Sequence, residues 1–285
     1  MPSDLKLSFH SKEAYKCPLC DTEFHREELL SGSGRLIAGK LTDELHRLYE
    51  PSAKYGVVYP LAYHATVCPE CWFASMDKDF ASLPEKAWER ARKEKTVRKG
   101  ETLKIFPRVD FNEPRNLVSG AASLYLAAWC YDYYTKEFSP TIKQGIATLR
   151  CAWLLDAMDK KYPGQHFDWL AVLFKKKAQF FYSEALGKEQ TGKEPISGVK
   201  SLGPDTDKNY GYEGALYLTG LLKLRYGSRD EGDARREALG EVKRTIAKIF
   251  GLGKSSKNKP GPLLEHARNL YDNINKELNE SDDAP

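Results

Sequence analysis

No stretch of this 285-residue chain approaches the eighteen or so uninterrupted apolar residues of a membrane span, and neither end carries a lipidation signal. Membrane insertion is therefore not expected. The opening residues, Met1-Pro2-Ser3-Asp4-Leu5-Lys6, lack the continuous apolar segment of a secretory leader, so a cytoplasmic location with reduced thiols is expected. Catalytic signatures are missing as well: there is no G-x-S-x-G, no H-E-x-x-H and no dinucleotide fingerprint, and the six histidines are scattered. Gly253-Lys254-Ser255 ends like a phosphate-binding loop, but the earlier glycine that such a loop needs falls at Lys248. Asp156 and Asp159 share an expected helix, where solvation is their ordinary role. These absences leave no residues on which to hang a reaction, so a non-enzymatic protein is expected, with no evident small-molecule substrate and no catalytic or cofactor-binding residues. Strong charge is lacking too. A net +4 from 44 basic and 40 acidic side chains falls short of a dedicated nucleic-acid binder.

Cysteine is also scarce, but four of the six fall in two copies of one motif, Cys17-Pro18-Leu19-Cys20 and Cys68-Pro69-Glu70-Cys71. Two residues between paired cysteines let one tight turn aim both sulfurs at the same ion, and four thiolates close a tetrahedral sphere around Zn2+. Cys17, Cys20, Cys68 and Cys71 are therefore the expected ligands of a structural zinc. A thioredoxin-type redox pair would need a single copy between a strand and a helix, and a catalytic zinc would keep an open position. His25 and His64 lie near the knuckles as substitute ligands, although four thiols make packing roles simpler for both. Cys130 and Cys151 fall within expected helices, where buried packing is the usual fate of a free thiol.

Charge changes sign along the chain. Residues 1–80 hold nine basic and twelve acidic side chains, and a zinc tetrathiolate adds about two negative charges. Residues 81–110 then hold nine basic and five acidic ones, among them Arg90, Arg92, Lys93, Lys95, Arg98 and Lys99. Ser82 and Glu85 read as a capping box, and the run to about Lys95 reads as an exposed helix with Glu89 and Lys93 one turn apart. A solvated connecting helix is one reading of this segment. A surface for an acidic partner or for nucleic acid, using residues 86–108, is the other.

The spacer between Cys20 and Cys68 is forty-seven residues, far longer than in a compact double knuckle, so an insertion must leave the metal and return to it. Ser31-Gly32-Ser33-Gly34 reads as a turn, and Leu41, Leu45 and Leu48 repeat at helical spacing, which predicts a short helix before Pro51. Tyr63 to Val67 is expected to be a strand running into the second knuckle. From about Asn112 the pattern becomes amphipathic helices, with Ser139-Pro140 as a cap and first-turn proline and Ile142, Ile146, Leu149 and Trp153 on one face. Further apolar stripes fall at Leu124 to Tyr134, at Trp169, Leu170, Leu173, Phe180 and Phe181, at Leu216 to Leu222, at Leu239 to Phe250 and at Leu263 to Leu278. Gly187 to Lys208 and Gly251 to Gly261 read as surface loops. The expected organisation is a zinc-binding module over 1–80, a basic connecting helix and linker over 81–111, a helical domain over 112–279 and a disordered tail over 280–285. The fold class is mainly α: a small zinc-ribbon-like α+β module, then an antiparallel array resembling tetratricopeptide repeats, whose period is about thirty-four residues.

The segment Lys16 to Phe80, with Cys-Pro-Leu-Cys-Asp-Thr-Glu-Phe at its start and Val-Cys-Pro-Glu-Cys-Trp-Phe-Ala-Ser near its end, resembles the DUF2225 family of bacterial proteins. That resemblance implies a metal site at Cys17, Cys20, Cys68 and Cys71 followed by a TPR-like region, and it covers most of the chain. Trp72 departs from the pattern, since the family often has glycine there. The function expected from these features is that of a cytoplasmic scaffold or adaptor that binds protein partners through its helices. Relatives in spirochaetes extend the expectation to a larger assembly such as a motility apparatus. The alternative is a zinc-dependent nucleic-acid-binding protein using the 86–108 segment.

Overall fold

The computed structural model describes residues 6–196, 199–228, 233–251 and 261–280. Short strands occupy the first part and helices the rest. Strand β1 (Ser8–His10) pairs antiparallel with β4 (Glu27–Leu29), and between them β2 (Tyr15–Lys16) pairs with β3 (Glu23–Phe24). Next come the pair β5 (Ile37–Leu41) and β6 (Arg47–Glu50) and the pair β7 (Ala65–Val67) and β8 (Ala74–Met76). The helices are α1 (Asp77–Phe80), α2 (Trp88–Lys93), α3 (Lys95–Ile105), α4 (Leu117–Cys130), α5 (Pro140–Lys161), α6 (Phe167–Gln190), α7 (Gly211–Tyr226), α8 (Asp233–Gly251) and α9 (Gly261–Glu280). The mainly α class with a small zinc-ribbon-like front is what the sequence led us to expect.

The last six helices pack in chain order, α4 on α5, α5 on α6, α6 on α7, α7 on α8 and α8 on α9, with α9 also touching α7. Paired in sequence, they start at Leu117, Phe167 and Asp233, intervals that are uneven and longer than a tetratricopeptide unit. Small residues allow the tight approach: Ala121, Ala122 and Ala127 are fully enclosed along α4. Asn116 starts that helix by accepting from the amides of Val118 and Ser119, while the Ser119 hydroxyl accepts from the Asn116 amide in return.

Several local expectations are corrected. The helix expected near Leu45 is the β5–β6 hairpin: Leu41 ends a strand, Leu45 sits in the turn at φ 58° with its side chain fully buried, and Leu48 is exposed. The proposed cap at Ser82 is absent, since the 3-10 turn there begins after Pro84 without a side-chain cap. Ser139 does not cap α5 either; it is left-handed (φ 49°) and gives its hydroxyl to the Pro195 carbonyl. The capping group is Glu194, a buried carboxylate that accepts from the Thr141 amide and hydroxyl at 2.8 Å each. The described parts of its segment, 191–196 and 199–208, expected as a surface loop, form a packed strap with Ile196, Leu202 and Asp205 all buried. Most of the expected loop at Gly251 to Gly261, and the tail beyond residue 280, lie outside the described residues.

The apolar core does not break at residue 80. Leu45, Leu61, Ala65, Val67, Trp72 and Ala74 belong to one continuous cluster with the faces of α4 to α9. Gly120 shows how close the approach is, because a Cβ there would sit 2.5 Å from both Cα and Cβ of Ala62. Alanine ordinarily improves a helix by about 1 kcal/mol over glycine. Here the clash is with backbone, so Gly120→Ala is expected to destabilise the protein by about 1–3 kcal/mol, read as a lowered denaturant midpoint. A variant as stable as wild type would mean that the front end does not seat on α4 this tightly.

Candidate metal centre

Each knuckle is the turn of a two-stranded hairpin. Cys17 to Cys20 lie between β2 and β3, and Cys68 to Cys71 between β7 and β8. The two turns repeat one hydrogen-bond pattern. Asp21 N donates to Cys17 O at 3.0 Å and Cys17 N to Thr22 O at 3.0 Å; Trp72 N donates to Cys68 O at 2.9 Å and Cys68 N to Phe73 O at 2.9 Å. In both, the residue after the second cysteine is left-handed, Asp21 at φ 59° and Trp72 at φ 56°. That conformation favours glycine, and here a non-glycine residue adopts it in both turns. Trp72 instead packs edge-on against Phe111, with ring centroids 5.2 Å apart, and joins the main core.

The turns bring all four sulfurs together. Cys17 and Cys71 are 3.5 Å apart, as are Cys20 and Cys68, and all four lie within 4.8 Å of one another. Sulfurs at about 2.3 Å from a tetrahedral ion would be about 3.8 Å apart, so the group is already near the required size. Cys17, Cys68 and Cys71 are buried and Cys20 is partly exposed. Four crowded thiols cannot all ionise without a cation. Hydrogen bonds from Cys17 and Cys71 push the Cys68 thiol down, while the bond to Cys68 pushes Cys17 up to about 12, and bonds to Cys17 and Cys68 push Cys71 up. A divalent ion would resolve that conflict, and the all-sulfur donor set suits one. The expected ligands are thus assembled as a group that can hold a metal ion.

The two histidines near the knuckles stay outside this group. His25 is exposed and bonds to the Ser11 carbonyl at 2.7 Å, and burial pushes His64 well below its ordinary value. Cys130 and Cys151 are fully buried, and burial raises both thiols, Cys130 to about 11. Around the sulfurs, Leu19, Phe73, Phe80, Leu83, Ala87, Ala91, Tyr131, Tyr133 and Tyr134 close a second apolar cluster, which therefore joins both knuckles to α2 and the end of α4.

Basic side chains of α2 and α3 turn toward the knuckles. Arg92 donates to the Leu19 carbonyl at 2.6 Å, Lys95 pairs with Glu70 at 2.6 Å, Arg98 donates to the Cys71 carbonyl at 2.7 Å, and Lys99 lies over the Trp72 ring at 5.3 Å. Others pair elsewhere: Arg90 with Glu94 and with Asp132 beyond α4, Lys93 with Glu89 as expected, and Lys104 with Glu101. Much of the basic run is thus engaged within the protein, with Lys95–Glu70 the ion pair that joins it to the acidic front among the described residues.

Sequence reasoning missed a cleft of about 620 Å³ where the β5–β6 hairpin meets α5, α6 and α7. The His46 ring stacks on Trp153 with centroids 4.3 Å apart, and Glu44 accepts from Trp153 Nε1 at 2.5 Å and Tyr226 at 3.3 Å. Asp43 pairs with Arg225, and Asp156 with Lys175 at 2.7 Å. Asp43, Glu44 and Asp156 are thus engaged by the protein's own donors, as in a packed seam. Misreading the hairpin as a helix hid it.

Comparison with known proteins places this architecture among bacterial sequences. A family model described as "Uncharacterized protein conserved in bacteria (DUF2225)" matches residues 10–274. A protein of Borreliella burgdorferi, described as an uncharacterized protein, is 40% identical over 273 residues, covering 96% of this chain and 98% of its own length. No solved structure matches the chain.

Proposed function

Since the chain belongs to the DUF2225 family, whose description names no reaction, its role must come from its own geometry, and we propose a zinc-stabilised, non-enzymatic adaptor that offers a helical surface to protein partners. Zinc is the ion that best suits a closed set of four thiolates with no open position. Its task is to hold the front end in shape. A cytoplasmic location, where thiols stay reduced, belongs to this reading, as do a TPR-like use of the stacked helices and a place in a larger assembly such as a motility apparatus. Among the described residues no helix is long and apolar enough to cross a membrane.

The observation that carries the adaptor reading is the outer face of α6. The sequence stripe at Trp169, Leu170, Leu173, Phe180 and Phe181 is not the buried face: Ala171, Phe174, Ala178, Tyr182 and Ala185 are buried instead, whereas Trp169 is 61% exposed and Phe180 56%, with Val172 and Leu173 also outside. Large apolar side chains lined up along one exposed helix face mark interaction surfaces. The test is affinity capture from native lysate with the full chain, compared with a Trp169→Ala/Phe180→Ala variant. Wild type is expected to retain specific proteins that the variant loses, with metal content and helical signal unchanged. Equal retention by both would remove this face from the proposal. A fragment starting at residue 112 is unsuitable, because both apolar clusters cross that boundary.

Nucleic-acid binding through residues 86–108 has less to draw on, because Arg90, Arg92, Lys93, Lys95, Arg98 and Lys104 already have internal partners. Tight binding at low salt that weakens steeply with added salt would favour it over the adaptor.

A further inference from the structure

Arg98 heads the largest side chains that are fully enclosed in the described part of the molecule, at 0% exposure. Its guanidinium donates to three neutral oxygens: Nη2 to the Cys71 carbonyl at 2.7 Å, and Nη1 to the Ala91 carbonyl at 3.0 Å and the Tyr133 hydroxyl at 3.2 Å. The Nε–H is buried with no hydrogen-bond partner. Among the ion pairs of the described residues Arg98 has no carboxylate; the nearest link to one runs through Tyr133, whose hydroxyl donates to Glu94 at 2.7 Å. An enclosed cation served only by neutral acceptors is costly, and proteins keep such a group where a compensating anion lies close. The anion this site can supply is the centre itself. Four thiolates around a divalent ion carry about two negative charges, and Arg98 is bonded to the backbone of one of those ligands.

We propose that Arg98 is the built-in counter-ion of the metal tetrathiolate, so that binding of the ion and docking of α3 against the knuckles are one coupled event. This rests on the zinc reading above. Arg98 touches no metal; it acts through the charge and orientation of the ligands, as outer partners of metal sites do. Arg92 and Lys95 extend the same contact to the first and second knuckles. The coupling gives the helical body a way to sense whether the centre is filled.

The test is zinc affinity of the full-length reduced protein, by competition with a chromophoric chelator, for wild type, Arg98→Met, Arg98→Lys and Lys95→Met. Arg98→Met is expected to weaken zinc binding roughly 10–100-fold, with Arg98→Lys recovering part of the loss. Lys95→Met removes an exposed pair and is expected to change affinity less than about threefold. Wild-type affinity in a folded Arg98→Met protein would overturn the proposal, and so would equal losses at Arg98 and Lys95, which would point to general positive potential. Should Arg98→Met not fold, hydrogen exchange of the wild type decides: protection over 95–105 is expected to fall on chelation while α9 keeps its own, and unchanged protection of 95–105 would overturn the coupling. A wild type that binds no zinc would instead sink the metal reading beneath it.

Discussion

Cys68→Ser is expected to purify without stoichiometric metal and with a reduced helical signal, where the wild type is expected to carry about one zinc per chain by elemental analysis. A serine hydroxyl is a poor replacement for a thiolate, and three sulfurs leave the sphere open. Structural zinc supplies about 10–16 kcal/mol in small zinc peptides, comparable with the whole stability of an ordinary domain, about 5–15 kcal/mol. The damage should travel beyond residue 80. The sulfurs share their apolar surroundings with Ala87 and Ala91 before and within α2 and with Cys130, Tyr131, Tyr133 and Tyr134 at the end of α4, so chelation should loosen helices as well as knuckles. Circular dichroism and thermal unfolding with and without chelator read this directly. A chelated protein that melts like the loaded one, or a Cys68→Ser protein with full metal, would contradict the assignment. Iron found in place of zinc would change the ion and keep the ligands.

Asp205→Ala is expected to cost about 3–5 kcal/mol, with a fall in melting temperature on the order of 10 °C. Asp205 is 3% exposed and fixes the strap to the β5–β6 hairpin: one oxygen accepts from His46 Nδ1 at 2.5 Å and the Arg47 amide at 2.8 Å, the other from the Thr206 amide at 2.6 Å. Removing the carboxylate strands those donors and takes a negative charge from the surroundings of Arg150, a buried cation bonded to the Pro204 and Gly203 carbonyls. Burial works to raise this carboxyl, but the hydrogen bond and positive charge of His46 outweigh it and hold it below the usual range. Its contribution is therefore in place above about pH 4, the ordinary aspartate value, and is lost as the pH falls through the lower folded value. Asp205→Asn keeps an acceptor and should recover part of the loss. A change under about 1 kcal/mol in the alanine variant would mean that the strap is held elsewhere.

What the sequence disclosed was whatever chemistry acts over a few residues. The knuckles were legible because two residues between cysteines suffice to set a ligand turn, and the strand into Cys68 because Thr66 and Val67 are β-branched, although it is shorter than expected: it covers Ala65–Val67, and Tyr63 ends a 3-10 turn. The six long helices followed from periodicity. Long-range choices were hidden. Leu41, Leu45 and Leu48 match a helix as well as a hairpin, and the decision lies with Asp43, Glu44 and His46 meeting Arg225, Trp153 and Asp205 more than a hundred residues on. On α6 the larger hydrophobics suggested the buried face, yet the close packing of α5 selects Ala171, Ala178 and Ala185 and turns Trp169 and Phe180 outward. The basic run gave its sign but not its destination, because Arg92, Lys95 and Arg98 find partners at Leu19, Glu70 and Cys71.

Gly120 lying against Ala62, together with the two clusters that each join the front end to α4, bears on how this architecture can be inherited. A front end of this kind is not a cassette. Transplanted onto another helical protein it would expose the surfaces that α4 now covers, so recombination should preserve the pair as a unit, and grafted chimeras should succeed only when they carry the segment from the first knuckle through α4 intact.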